Sequence, residues 1–136
     1  MGAGTLSLLT SQAALNKATA TDVRRFAQFE SAEQTAVGAI LKEMGTVPPP
    51  MDAQDRAVLD GIRSLPRGAA FDRAYAMQQL SAHVYLRSLC DNYLRNSAPR
   101  RNRPMEMHVR HLAMFALPAI AEHISHSQRL MNGQDL

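Results

Sequence analysis

Residues 23–44 read VRRFAQFESAEQTAVGAILKEM. At 100° per residue, Val23, Phe26, Val37, Ile40, Leu41 and Met44 fall in one stripe about 120° wide. That periodicity is helical, and nothing in it alternates with the period of two that a half-buried strand needs. Glu30 and Glu33 lie inside the apolar stripe. A carboxylate on a core-facing side is costly unless it is paired, hydrogen-bonded, protonated or metal-bound, so two of them three residues apart call for a partner.

The ends of this helix are also written in the chain. Thr21 or Asp22 is the expected N-cap, and Gly45 followed by Pro48, Pro49 and Pro50 stops it, which predicts a helix over 22–44. Upstream, Leu6, Leu9 and Ala13 recur at helical spacing behind Thr5 as a cap, predicting a helix over 6–18. Downstream, Asp52 caps a short helix over 52–62 that carries Val58, Leu59 and Ile62 and is expected to lie across the others.

After Ser64 to Gly68, a third long helix is predicted over 69–94. Its inner stripe is Phe71, Tyr75, Ala82, Leu86, Leu89 and Tyr93, with Asp72, Gln79, His83 and Cys90 along one border. Asn96 to Pro104 is a loop by composition, and Pro104 suits the first turn of a last helix over 104–131. Met105, Val109, Leu112, Ala116, Ala119 and Leu130 define its inner face, and Pro118 predicts a kink near residues 114–118. Four long helices joined by short connections, plus one short crossing helix, describe an all-α, antiparallel four-helix bundle spanning 1–136 as one domain.

Composition agrees with that reading. Apolar residues make up 46% of the 136-residue chain and charged residues 20%, so it can bury a core, while scarce aromatics and no Trp favour helix over strand. One cysteine, Cys90, excludes an internal disulfide, and it reads as a packing residue, as do Met77, Met105 and Met114. The net charge of +3 is local, since Arg95, Arg100, Arg101 and Arg103 crowd one loop. A solvated loop is the expected reading; a nucleic-acid partner is disfavoured because no aromatics stand beside the arginines. The longest apolar run, Leu112 to Ala121, is too short to span a bilayer, and Met1 to Leu15 lacks the pattern of a leader peptide.

Glu30 and Glu33 find their natural counterparts on the last helix, where His123 and His126 sit near the inner face with Glu122 beside them. Carboxylates and imidazoles projecting inward from facing helices build metal centres in bundles, which makes Glu30, Glu33, His83, His123 and His126 the candidate ligands of a divalent ion: iron, zinc, manganese or copper. The match is partial, because no complete Glu-x-x-His motif is present and the adjacent Glu122 and His123 point about 100° apart. The alternative is a polar core network that fixes helix register, drawing in Asp72, Tyr75, Gln78 and Glu122, without any metal. His108 and His111 are expected to face solvent. No phosphate loop, nucleophile elbow or paired-cysteine motif is found.

VRRFAQFESAEQT (23–35), GAAFDRAY (68–75) with His83, and LPAIAEH (117–123) together resemble a bacterial family of unknown function. Its members are often labelled putative outer membrane or exported proteins, and it is similar to the ferritin-like helical bundles. The resemblance runs from about Leu6 to Leu130, with Glu33-Gln34 standing where many members have an Asp-His pair. It implies a ferritin-like fold and a periplasmic or exported location behind a leader peptide, whereas the residues alone read as a cytosolic protein or a mature form with its leader removed. Three functions follow as expectations: a non-enzymatic envelope bundle that binds a divalent metal; a structural module that pairs with itself or with an envelope protein; and a di-metal oxidase-like enzyme.

Overall fold

The computed structural model describes residues 2–100 and 102–136, so readings that concern Met1 and Arg101 lie outside the described residues. Among the described residues the chain is all-α, with five helices and no strand: α1 (Ala3–Lys17), α2 (Thr21–Glu43), α3 (Ala53–Ser64), α4 (Ala69–Asn96) and α5 (Pro104–Met131). The most extensive pairings are α4 with α5, α1 with α2 and α1 with α4.

The first helix differs most from its sequence reading. It starts at Ala3 with Gly2 as N-cap, so Thr5 lies inside the helix. Its buried face is Ala3, Leu6, Ser7, Thr10, Ser11 and Ala14, while Leu9 and Ala13 are only partly buried. The apolar stripe is displaced because three small hydroxyl residues face α4. Thr10 Oγ1 returns a bond to the Leu6 carbonyl at 2.9 Å and also meets Gln78 Oε1 at 2.8 Å, so its burial leaves no donor idle. Side chains this small let the helices approach closely, and Ala14, Ala18, Ala27 and Ala76 are all fully buried there.

The second helix has no side-chain cap from Thr21 or Asp22. The carboxylate of Asp72 on α4 instead holds the turn that leads into α2. It accepts the backbone N–H of Ala20 at 2.8 Å, that of Thr19 at 3.1 Å and the Thr19 hydroxyl at 2.7 Å. The cap of α3 is the expected one, with Asp52 Oδ1 accepting from the Asp55 N–H at 2.8 Å. Gly45, at φ 77°, makes the turn that ends α2, a conformation that suits a residue without Cβ.

The short helix lies along α1, bonded to it near both ends. Asp55 at its start accepts the Gly2 N–H at 2.7 Å, and at its end the carbonyls of Arg63 and Leu65 both accept from Lys17 Nζ, the latter at 2.9 Å. Bonds at both ends of α1 hold the two helices side by side, and Leu59 and Ile62 are buried in the seam.

The apolar core gathers Ala14, Ala18, Val23, Phe26, Ala27, Ile62, Phe71, Tyr75, Ala76 and Leu130 around the α1–α2 turn. It does not extend along the whole of the long helices. Ile40, Leu89 and Met105, read as inner-face residues, are exposed, and Val37, Leu41 and Met44 are only partly buried. Length explains this: 15 residues of α1 reach about 22 Å whereas 28 residues of α4 or α5 reach about 42 Å, so α1 runs out before the far halves do. Pro118 lies inside α5, which is helical from Pro104 to Met131. No helix among the described residues is long and apolar enough to cross a membrane.

Candidate metal centre

Three side chains from three helices converge where the core gives way to the far halves. Glu30 of α2 and His83 of α4 are buried, and His123 of α5 is nearly so. Glu30 Oε2 stands 3.0 Å from His123 Nδ1 and 3.3 Å from His83 Nε2, and the two nitrogens are 3.1 Å apart. Among the described residues this is the one group of three potential ligands whose donor atoms come together.

The surroundings fix which atoms face inward. His83 Nδ1 lies 2.8 Å from the carbonyl of Gln79, one turn back on α4. A carbonyl only accepts, so Nδ1 carries the hydrogen and a neutral His83 presents the lone pair of Nε2 to the centre. On the other ring, His123 Nε2 faces Glu33 Oε2 at 3.5 Å, a charge contact that favours the hydrogen on that outer nitrogen. Glu30 is held by its other oxygen: Oε1 accepts from Ser7 Oγ at 2.6 Å and from Gln34 Nε2 at 2.9 Å. Oε2 is buried and has no hydrogen bond of good geometry.

The electrostatics of the group are consistent with its geometry. Burial alone pushes the Glu30 carboxyl up, but the close His123 and His83 nitrogens, which donate and carry positive charge when the rings are protonated, and the Ser7 hydroxyl outweigh it and hold the group well below the usual carboxylate range. For His123, burial works against the charged form, yet the hydrogen bond and charge of Glu30, with Glu33 and Glu122 behind it, raise its pKa. The Phe26 ring packs edge-on to the group, 5.3 Å from the His123 ring and 6.4 Å from that of His83.

The other candidates are placed elsewhere. Glu33 is one turn farther along α2 than Glu30 and reaches the outer edge of His123 only. His126 pairs with Glu122 at 3.3 Å, and Glu122 is largely exposed, outside any core network. Asp72 serves the α1–α2 turn. Tyr75 bonds to Ser11 at 2.8 Å and Gln78 to Thr10 at 2.8 Å; neither touches Glu30 directly, and they connect to it through Gln79 and Ser7. Burial pushes the Tyr75 hydroxyl far up, and the nearby charge of Glu30 adds to this against the opposing Ser11 hydrogen bond.

Ser7, Thr10, Ser11 and Gln34 were missed from sequence. The first three repeat at spacings of three and one, a polar stripe that an apolar search passes over. Gln34 sits four residues from Glu30, the standard distance for a helical side-chain pair. Beside His123, a solvent-open cavity of ≈550 Å³ is bordered by Phe26, Phe29, Ala32, Glu33, Glu122, His123 and His126, among others.

The family profile described as a domain of unknown function (DUF4142) matches residues 2–130. No curated protein and no solved structure matches the chain.

Proposed function

The chain belongs to the DUF4142 family of domains of unknown function, and from that premise we propose that it is a metal-binding helical domain in which Glu30 Oε2, His83 Nε2 and His123 Nδ1 hold one divalent transition-metal ion. The observation that carries this reading is the triangle of inward-facing acceptors with sides of 3.0, 3.1 and 3.3 Å. A triangle of that size has a circumradius of about 1.8 Å, so an ion about 2.1 Å from each atom sits roughly 1 Å off their plane, in ordinary coordination geometry. Two imidazoles and a one-oxygen carboxylate suit iron, zinc, manganese or copper better than calcium or magnesium, which prefer all-oxygen shells. Gln79 and Glu33, behind the two imidazoles, match the outer partners that orient metal-binding histidines.

In this reading α1, α2, α4 and α5 form a single-domain, antiparallel four-helix bundle of ferritin-like type, made of the α1–α2 and α4–α5 hairpins. The resemblance to exported proteins supports a periplasmic or exported location. The role is binding, without turnover. The second reading, a metal-free polar network that fixes register, draws its support from the complete hydrogen bonding of Glu30 Oε1 and the Ser7–Gln79 contacts behind it.

Elemental mass spectrometry on protein purified without chelator or histidine tag separates the two. Near-stoichiometric metal that disappears in Glu30→Gln, His83→Asn and His123→Asn supports the site. Wild-type protein that retains nothing after incubation with iron, zinc, manganese and copper overturns it in favour of the network.

A further inference from the structure

The ligands of the proposed site are buried, so an ion needs a route to them, and the side chains between the site and solvent form an ordered series. Side-chain exposure falls from 70% at Glu122 to 34% at Glu33, 29% at His126 and 12% at His123, then to 1% at His83 and 0% at Glu30. The first four border one and the same cavity between α2 and α5, and the last two are not among its lining. The contacts are stepped in the same order: Glu122 to His126 at 3.3 Å, Glu33 to His123 Nε2 at 3.5 Å, and His123 Nδ1 to Glu30 at 3.0 Å. His123 stands at the boundary, one ring nitrogen toward the cavity and the other toward the interior. The edge of Phe26, near both His123 and His126, walls the passage with carbon.

We infer that this cavity is the entry path of the ion, and that Glu122, His126 and Glu33 form a transient cation site at its mouth. The inference rests on the metal-site reading. Stripping water from a divalent ion in one step is costly, and oxygen and nitrogen donors staged along the way replace the lost waters a few at a time. The mouth carries two carboxylates against one guanidinium, that of Arg25, which favours a cation. A transient site lowers the barrier without changing the end states, so it speeds entry and exit by the same factor and leaves the equilibrium alone.

The test follows cobalt(II) uptake by its absorption in stopped flow, with release measured by chelator challenge, on the full chain. In the double variant Glu122→Gln/His126→Asn, uptake and release both slow by roughly tenfold while Kd moves far less, by no more than the loss of the distant Glu122 charge on His123 brings. Ala32→Leu, which narrows the cavity without touching a ligand, slows both rates in the same way, and circular dichroism confirms that each variant is folded. Unchanged rates in both variants overturn the entry path. A weaker Kd with an unchanged uptake rate also overturns it, because those residues then hold the ion rather than pass it on. Wild type that takes up no cobalt overturns the metal site itself, and with it the path.

Discussion

His83 and His123 meet nitrogen to nitrogen at 3.1 Å, their rings 4.9 Å apart and close to perpendicular. Two lone pairs cannot face each other there, so either Nδ1 of His123 carries a hydrogen or an ion lies between the rings. The charge of Glu30 favours a protonated His123 in that place, and an ion at the proposed site would displace its proton. Metal affinity therefore rises with pH through the range where His123 loses its proton. Isothermal titration with zinc at pH 6.0 and 7.5, corrected for buffer protonation, should show tighter binding and less proton release at the higher pH; binding that is indifferent to pH argues against this ligand set.

The same ionisations govern the stability of the metal-free protein. Glu30 is depressed from its ordinary 4.5, so its contribution is present above that pH and fades as the medium becomes more acidic. His123 is raised above its ordinary 6.5, so its contribution is full below that pH and is lost as pH rises through the folded-state value. The pair therefore supports the fold best between about pH 4.5 and 6.5. A Tm profile of chelator-treated protein should decline on the alkaline side, and His123→Gln should flatten that limb.

Loading the site should reverse the alkaline decline. An ion that binds only the folded chain stabilises it by about 2.7 kcal/mol at a free concentration one hundred times Kd. Thermal scans at pH 8 with added zinc should show this shift in wild type and none in His83→Asn.

Ser7→Ala isolates the support behind Glu30. It removes the hydroxyl that bonds Oε1 at 2.6 Å inside a buried seam and leaves that oxygen with Gln34 as its remaining hydrogen-bond donor. Loss of about 1–3 kcal/mol in urea unfolding is expected, with weaker metal binding as a secondary effect. No change in either quantity would mean that Ser7 is a bystander.

Asp72→Ala tests the clamp on the α1–α2 turn. Three donors lose their acceptor there, two of them backbone groups at the entrance to α2. We expect a stability loss of about 2–4 kcal/mol from several broken bonds in a partly buried place. Asp72→Asn should recover part of it, since the amide oxygen can still accept.

The helical character of the chain and the trio's membership were visible in the sequence to different degrees. Periodicity placed Glu30 on an inner face, because apolar residues on both sides of it set the direction. His83 sat at the border of its stripe, and nothing local distinguished a buried imidazole from a surface one; the deciding partner, the Gln79 carbonyl, is backbone and leaves no mark in composition. Glu33 seemed equal to Glu30 because a spacing of three keeps residues on one broad face, yet 60° of rotation takes one inward and the other to the cavity rim. The polar inner face of α1 stayed hidden for the opposite reason, since Ser7, Thr10 and Ser11 look like surface residues until a second helix supplies their partners. Where Ile40 and Met105 proved exposed, the pattern was genuine, but the short α1 left nothing to cover them.

The bond between Asp72 and the α1–α2 turn also acts as a datum mark. From Ala20 to Glu30 is ten residues of helix, about 15 Å, and from Asp72 to His83 eleven, about 16.5 Å. Both distances are counted off from the same fixed point, so the carboxylate and the imidazole arrive level with each other with no need for adjustment at the far end. A single residue inserted into α2 between them would shift one gauge by about 1.5 Å and turn Glu30 by about 100°, leaving His83 to face an empty wall.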